Sequence, residues 1–398
     1  MNNVRCNKRN IVLVSAIVLL AAVQHVSANV PTRTGLAQSE TSTQPKPGTL
    51  EVVAELPLRP WNHAVSRDGR VFATVVRSTR EQPALIEITG RNQYKPFPNA
   101  AWNTTFGSSP NVLNCPHGVR LDEQNRLWVI DRGAWAILPD NGRSSLPDQQ
   151  PKLLAFDINT GELVYRLDLS EAVAPKSKTL VQDLVIDDRN GFVYIADPGV
   201  TVLPAIIVVD LQRKTARRFE AHPSLRAENV DLVVEGKVIG RTTNGKFTPN
   251  RIGINPISLS ADRETLFYGA MTGTSIWSVP TKLLRDGADD RTIATAIQRV
   301  GNKPVSDGMT IDTAGNHFIT NVGDNAIDVL TPKGQLSRLV QDDRLIWADS
   351  VGFGEPTWLY ITVNQLNRSP LLNPNRDEGK PPYLIMRVWT GTEGQPGR

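Results

Sequence analysis

The sequence predicts an all-β fold, a six-bladed β-propeller closed by pairing its N-terminal strand with the C-terminal blade. Three observations lead there. A hairpin pattern, alternating apolar residues, a polar turn and then an apolar run, recurs six times, at 65–75, 118–131, 183–197, 257–268, 308–320 and 349–361. Aligned on Ser66, Asp122, Asp187, Ser260, Asp312 and Gly352, the copies lie 56, 65, 73, 52 and 40 residues apart. Repeats of that length built from strand-like runs point to radial blades rather than to a helical solenoid. Third, residues 50–56 form an alternating strand with no hairpin partner, while the last blade supplies only three strands of its own. A single irregular β-sandwich would need six look-alike hairpins by coincidence.

Taken in order, residues 1–28 read as a secretory signal. Arg5, Lys8 and Arg9 precede an apolar core at 11–23, and Val26-Ser-Ala28 offers small residues for cleavage. The core is shorter than the roughly 20 residues a membrane span needs. The expectation is a secreted or periplasmic protein with no membrane attachment after signal removal. Loss of this segment lowers the formal charge from +4 to +1, so the basic balance gives no support for a nucleic-acid partner. It also removes Cys6, leaving Cys115 unable to form an intramolecular disulfide and reading as a buried, inert thiol.

Residues 29–48 are rich in Thr, Ser, Gln and Pro and read as a flexible leader. The propeller is expected over 49–392, followed by a short tail at 393–398. Blade two is predicted from 118–122, 126–131, 152–158 and 162–169, and blade three from 183–187, 192–197, 205–210 and 215–220. Insertions at 134–150 and 221–250 break the spacing, and 231–240 reads as an accessory hairpin. The strand at 50–56 would join 383–389 and close the ring, leaving no unpaired edge.

The innermost strand of each propeller blade starts at one mouth of the central channel. The residues ahead of each repeat should therefore converge there: Asn62-His63, Pro116-His117, Gln182-Asp183, Asn255-Pro256, Ser306-Asp307 and Ala348-Asp349. Carboxylate and amide oxygens from Asp183, Asn255 and Asp307 suit a hard divalent cation such as Ca²⁺. His63 and His117 could instead act as general bases, because imidazole titrates near neutral pH. Taken one at a time, such residues more often cap turns around a water-filled channel, whereas the set together reads as a pocket. Asn103-Thr-Thr105 fits a glycosylation sequon. The chain contains no phosphate loop, nucleophile elbow, zinc helix motif or Cys pair.

Several segments carry a family resemblance, in order across about 50–390. Arg126-Leu-Trp-Val-Ile-Asp-Arg-Gly133, Gly191-Phe-Val-Tyr-Ile-Ala-Asp197, Ser278-Val-Pro-Thr-Lys-Leu-Leu-Arg285 and residues 358–364 resemble signature segments of the yellow and major royal jelly proteins. The resemblance implies a secreted six-bladed propeller from a family that includes dopachrome-converting, amine-binding and nutritive proteins, so it leaves the activity open. Family cysteines near the second and third hairpins are missing here, and the chain looks like a bacterial-type relative. More distantly, Asp307-Gly-Met-Thr-Ile-Asp-Thr-Ala-Gly315 is similar to a segment of the gluconolactonase and senescence-marker propellers, whose Asp binds the metal and assists catalysis. Asn255 resembles their metal-binding Asn, although Pro256 replaces the usual Gly. Their first-blade Glu has no counterpart, with Asn62 or His63 standing nearby, and His117 occupies the area of their Asn-Asp pair.

The leading expectation is a small-molecule site at the channel mouth that binds or isomerises an aromatic or amine-bearing compound. His63 or His117 would move the proton, and Asp183 and Asp307 would orient the imidazole or hold a cation, with Asn62 and Asp349 completing the mouth. The alternatives are a Ca²⁺-dependent lactonase using Asp183, Asn255 and Asp307, and a non-catalytic binding or partner-recognition propeller.

Overall fold

A computed structural model describes residues 44–79, 81–104, 109, 111–133, 149–373, 376–395 and 397. Residues 1–28, read from the sequence as an export signal, residues 29–43 of the expected leader, and 134–148 of the blade-two insertion lie outside the described residues. Six four-stranded antiparallel sheets account for the propeller, and two small hairpins stand apart from them. Blade one runs from Pro60–Val65 to Gln93–Pro96. Blade two comprises Pro116–Leu121, Arg126–Asp131, Lys152–Asp157 and Leu163–Asp168, within two residues of the pattern read from alternation. Blade six pairs Ala348–Phe353, Trp358–Val363 and Tyr383–Trp389 with Leu50–Leu56. In that closing pair Leu50 faces Val388 and Leu56 faces Tyr383.

Each hairpin turn has a local cause. The Asp122 carboxylate accepts from the backbone N–H groups of Gln124 (2.9 Å) and Arg126 (3.0 Å), and Asp312 does the same for Ala314 (2.9 Å) and Asn316 (2.8 Å). The recurring acid therefore builds a turn rather than a site. Between neighbouring blades lie apolar layers, one joining Trp128 and Ile130 to Val193 and Ile195, another joining Phe318 and Ile327 to Phe353 and Ile361. They hold the ring together in sequence around the axis. Leu56 sits in the layer between blades six and one, fully buried. Leu56→Ala is expected to lower unfolding free energy by about 2–4 kcal/mol, while Val164→Ala, on an exposed edge, changes it by less than about 0.5 kcal/mol. Equal shifts for the two in guanidinium unfolding would remove the closing strand from the core.

Some details depart from the sequence expectation. The leader is not wholly free, because Gly48 donates to the Trp389 carbonyl at 2.9 Å. In the expected tail, residues 394, 395 and 397 contact the propeller. Gly394 bridges Asp312, Gly397 donates to Phe353, and the Gln395 side chain accepts from Arg263 at 2.8 Å. The segment thus crosses the ends of the inner strands, opposite the mouth where those strands begin. Short helices at Thr281–Arg285 and Asp290–Ala296 separate the outer strands of blade four. The expected accessory hairpin is present as Val233–Val234 with Lys237–Val238, and a second follows at Gly240–Thr243 with Lys246–Pro249. Asn103 is buried, accepting from the Ala84 and Leu85 N–H groups and donating to Phe97 and Asn99, so the folded chain cannot present it for glycosylation. Among the described residues no helix is long and apolar enough to cross a membrane.

Candidate functional site

At the mouth of the channel, four inner strands break register at equivalent places: between Pro60 and His63, Pro116 and Val119, Ile254 and Ile257, and Ala348 and Val351. A bulge re-aims the side chains it contains. Here the residues inside the breaks include Asn62, His117, Asn255 and Asp349. These four, with Gln182, Asp183, Asp307 and Ser350, line one small polar pocket on the ring axis. Two glycines bring the blades close enough for this. A Cβ at Gly118 would lie 2.5 Å from the Gln182 carbonyl oxygen, and one at Gly308 would lie 2.5 Å from that of Asp349. Only glycine lets the backbone following His117 and Asp307 touch the next blade.

The pocket is lined by three buried carboxyl groups, Asp183, Asp307 and Asp349, and a buried guanidinium, Arg120, contacts two of its lining residues. Arg120 donates to Asp183 at 3.1 Å and to the Asn62 amide oxygen at 2.6 Å. Asp183 also accepts from the Leu184 N–H at 2.9 Å. Burial pushes the Asp183 carboxyl above its ordinary range, against the pull of Arg120. Asp307 accepts from the Trp347 indole N–H at 2.6 Å and from the Asn255 amide, and its own backbone N–H donates to Thr320 at 3.0 Å. Asp349 accepts from Asn364 at 2.6 Å. Burial, together with the charge of Asp183, raises Asp307 to about 7 despite its donors. Asp349 is driven well up by burial first and then by the neighbouring Asp307. Two adjacent carboxyl groups in a dry site cannot both ionise easily, so near neutral pH the pair holds a proton.

Above this floor opens a cavity of about 470 Å³, within the roughly 300–1,000 Å³ usual for small-molecule sites. Trp61, Ile252, Met271, Trp347, Leu366 and Leu371 form its apolar wall, while His117, Gln182 and Asp307 are shared with the floor. Insertion residues Leu232, Val234 and Ile239 pack with Trp61 and Trp347, so the accessory hairpin props the wall. The His117 ring lies 4.2 Å from Trp61, and burial with the nearby Arg132 charge lowers its pKa to about 3. Among the described residues, buried His117 Nδ1, Gln182 Oε1 and Asn255 Oδ1 have no hydrogen-bond partner. Unsatisfied polar atoms gathered at one pocket are what a polar ligand would satisfy.

The predicted residues are therefore not equivalent. Asn62, His117, Asp183, Asn255, Asp307 and Asp349 meet on the axis. His63 does not, because the bulge aims Asn62 inward and strand alternation turns the next side chain into the interface with blade six. There its Nδ1 lies 2.7 Å from Thr362 Oγ1, and burial lowers its pKa to about 3. Burial lowers the pKa of His117 to about 3, whereas it raises that of Asp307 to about 7. Trp61, Trp347, Arg120 and Arg132 were not read from the sequence as site residues. A tryptophan beside the polar mouth residues, at Trp61-Asn62 and Trp347-Ala-Asp349, was the available signal for two of them.

Comparison with known proteins agrees with this architecture. Residues 115–388 match the family model described as major royal jelly protein. Major royal jelly protein 3 of Apis mellifera is 24% identical over 286 residues, covering 68% of this chain and 48% of that protein. Protein yellow of Drosophila melanogaster is 25% identical over 231 residues, covering 55% and 40%. The chain spans about half the length, or less, of these curated relatives. Among solved structures, a luciferin-regenerating enzyme superposes with a TM-score of 0.53 at 11% identity, over 88% of this chain and 98% of that one. A gluconolactonase from Xanthomonas campestris gives 0.51 at 13%, over 85% and 89%. At such identities these two establish a shared fold alone. With most of its propeller matched by the family model, the chain belongs to the major royal jelly protein family.

Proposed function

We propose that the cavity binds a small aromatic compound carrying a protonatable amine, and that Asp307 exchanges a proton with it. One observation carries this reading: a buried carboxyl, Asp307, forms the base of a cavity walled by Trp61 and Trp347. Indole faces attract a cation and stack on an aromatic ring, and the carboxylate beneath answers the ammonium charge. A tautomerisation of the dopachrome type needs no oxidant, only removal of a proton from one atom of the substrate and its return to another. A carboxyl titrating near neutral pH suits both steps. The export signal read from the sequence would place this chemistry outside the cytoplasm.

Binding an ammonium group should expel the proton held near Asp307 and Asp349. Calorimetric titration with tryptamine is therefore expected to show at least about tenfold tighter binding at about pH 8 than at about pH 5, with proton release. Asp307→Asn should abolish that pH dependence and stop dopachrome turnover. Affinity independent of pH and unchanged in Asp307→Asn would overturn the reading.

A metal-dependent lactonase is the second reading. The unpartnered Asn255 Oδ1 favours it, being an oxygen donor beside Asp307. Against it, Arg120 already occupies Asp183, and among the described residues no group of three or more His, Cys, Asp or Glu side chains could hold an ion. The donor set does not fit a divalent cation as it stands. Repeating the titration with calcium and with a chelator separates the readings, since only a lactonase needs the ion.

A further inference from the structure

The lining of the cavity carries basic groups as well as the Asp307 carboxyl. Arg132, Arg241 and Arg251 all line the cavity, whereas among the described residues Asp307 is its one acidic lining residue. Arg251 is answered by Asp231 at 2.7 Å. Among the described residues, neither Arg132 nor Arg241 pairs with a carboxylate. Arg132 is the more constrained of the two. It follows the buried Asp131 at the end of the second strand of blade two, and its Nε is buried with no acceptor. Asp131 cannot serve it, because its oxygens are taken by Lys152 and by the N–H groups of Asn114, Cys115 and Gly133. A guanidinium whose N–H group is buried without an acceptor incurs the full desolvation cost unless a ligand supplies one.

We infer that Arg132 is a carboxylate-recognition residue and that the ligand is an aromatic compound bearing both an amine and a carboxylate. This rests on the proposed amine site and adds its second pole. Charges of opposite sign on the lining of one cavity, with indoles in its wall, orient an amphoteric molecule in a single direction. A plain monoamine leaves the Arg132 donors unanswered, and a plain aromatic acid leaves Asp307 unanswered. A buried polar group left unanswered rejects a ligand strongly, whereas an apolar contact rejects little.

Tryptamine and tryptophan differ by the carboxylate alone and make the direct test. The unmodified protein should bind tryptophan at least about tenfold more tightly than tryptamine, as expected for one charge-assisted bidentate pair. Arg132→Leu should erase that preference by weakening tryptophan more than tryptamine, and Arg132→Lys should restore part of it. Circular dichroism and the unfolding midpoint verify that each variant is folded, and Arg132→Gln replaces the leucine variant if it is not. Equal affinity for the two ligands in the unmodified protein, or an equal loss for both in the Arg132 variants, overturns the inference while leaving the amine site standing. Binding of neither ligand defeats the amine site and this inference together.

Discussion

Arg120→Met is expected to destabilise the protein by about 3–5 kcal/mol near neutral pH, the cost of stranding one partner of a buried ion pair. Arg120 and Asp183 are both nearly inaccessible, and their contact joins blade two to the loop entering blade three. Without the guanidinium, Asp183 faces Asp307 and Asp349 with no buried cation beside it in the pocket, and Asn62 loses its 2.6 Å donor. The double variant Arg120→Met, Asp183→Asn should recover most of the loss, because it removes the orphaned charge as well. A double-mutant cycle from urea unfolding measures this. Additive losses would mean that the two side chains stabilise the ring independently. The single variant should also be less impaired at acidic pH, where Asp183 takes up a proton and the stranded charge disappears.

The second large effect is a reversed pH dependence of stability. Most folded-state carboxylates have lowered pKa values and stabilise a protein above their unfolded range. Asp307 is raised instead, from an ordinary value of 3.8 to about 7, chiefly by burial. Between those two values the native state binds more protons than the unfolded chain, so unfolding free energy falls as pH rises. The contribution is fully present below about pH 4 and is lost by about pH 7, amounting to about 2–4 kcal/mol. Asp307→Asn should flatten this slope and make the protein more stable than its parent at about pH 8, while losing the site. It should also lower the Asp349 pKa by removing its charged neighbour. A parent protein equally stable across that window would contradict a proton-holding pair. A functional group that costs stability is a common trade in binding sites.

How far the site could be read in advance depended on whether each residue acts locally. Asp122 and Asp312 bond to the backbone two and four residues ahead, and the hairpins they turn were legible from spacing alone. The choice of mouth residues followed from the same repeat, and Asp183, Asn255, Asp307 and Asp349 do meet in one pocket. His63 shows where that logic stops. It neighbours Asn62 in sequence, yet a bulge invisible to alternation decides that one faces the axis and the other faces Thr362. Arg120 gives no signal in the sequence, because it sits inside a strand that otherwise reads as core.

Sequence alone determined the blades, their number and the set of polar groups delivered to the axis, because period-two alternation and turn chemistry act over a few residues. Tertiary structure decided which of those groups share a proton, which is neutralised by Arg120, and which face the indoles of Trp61 and Trp347. Those properties depend on burial and on partners 40 to 63 positions away, such as Trp347 with Asp307 and Arg120 with Asp183. Electrostatic energy follows distance in space and local dielectric, and both were set only when the ring closed.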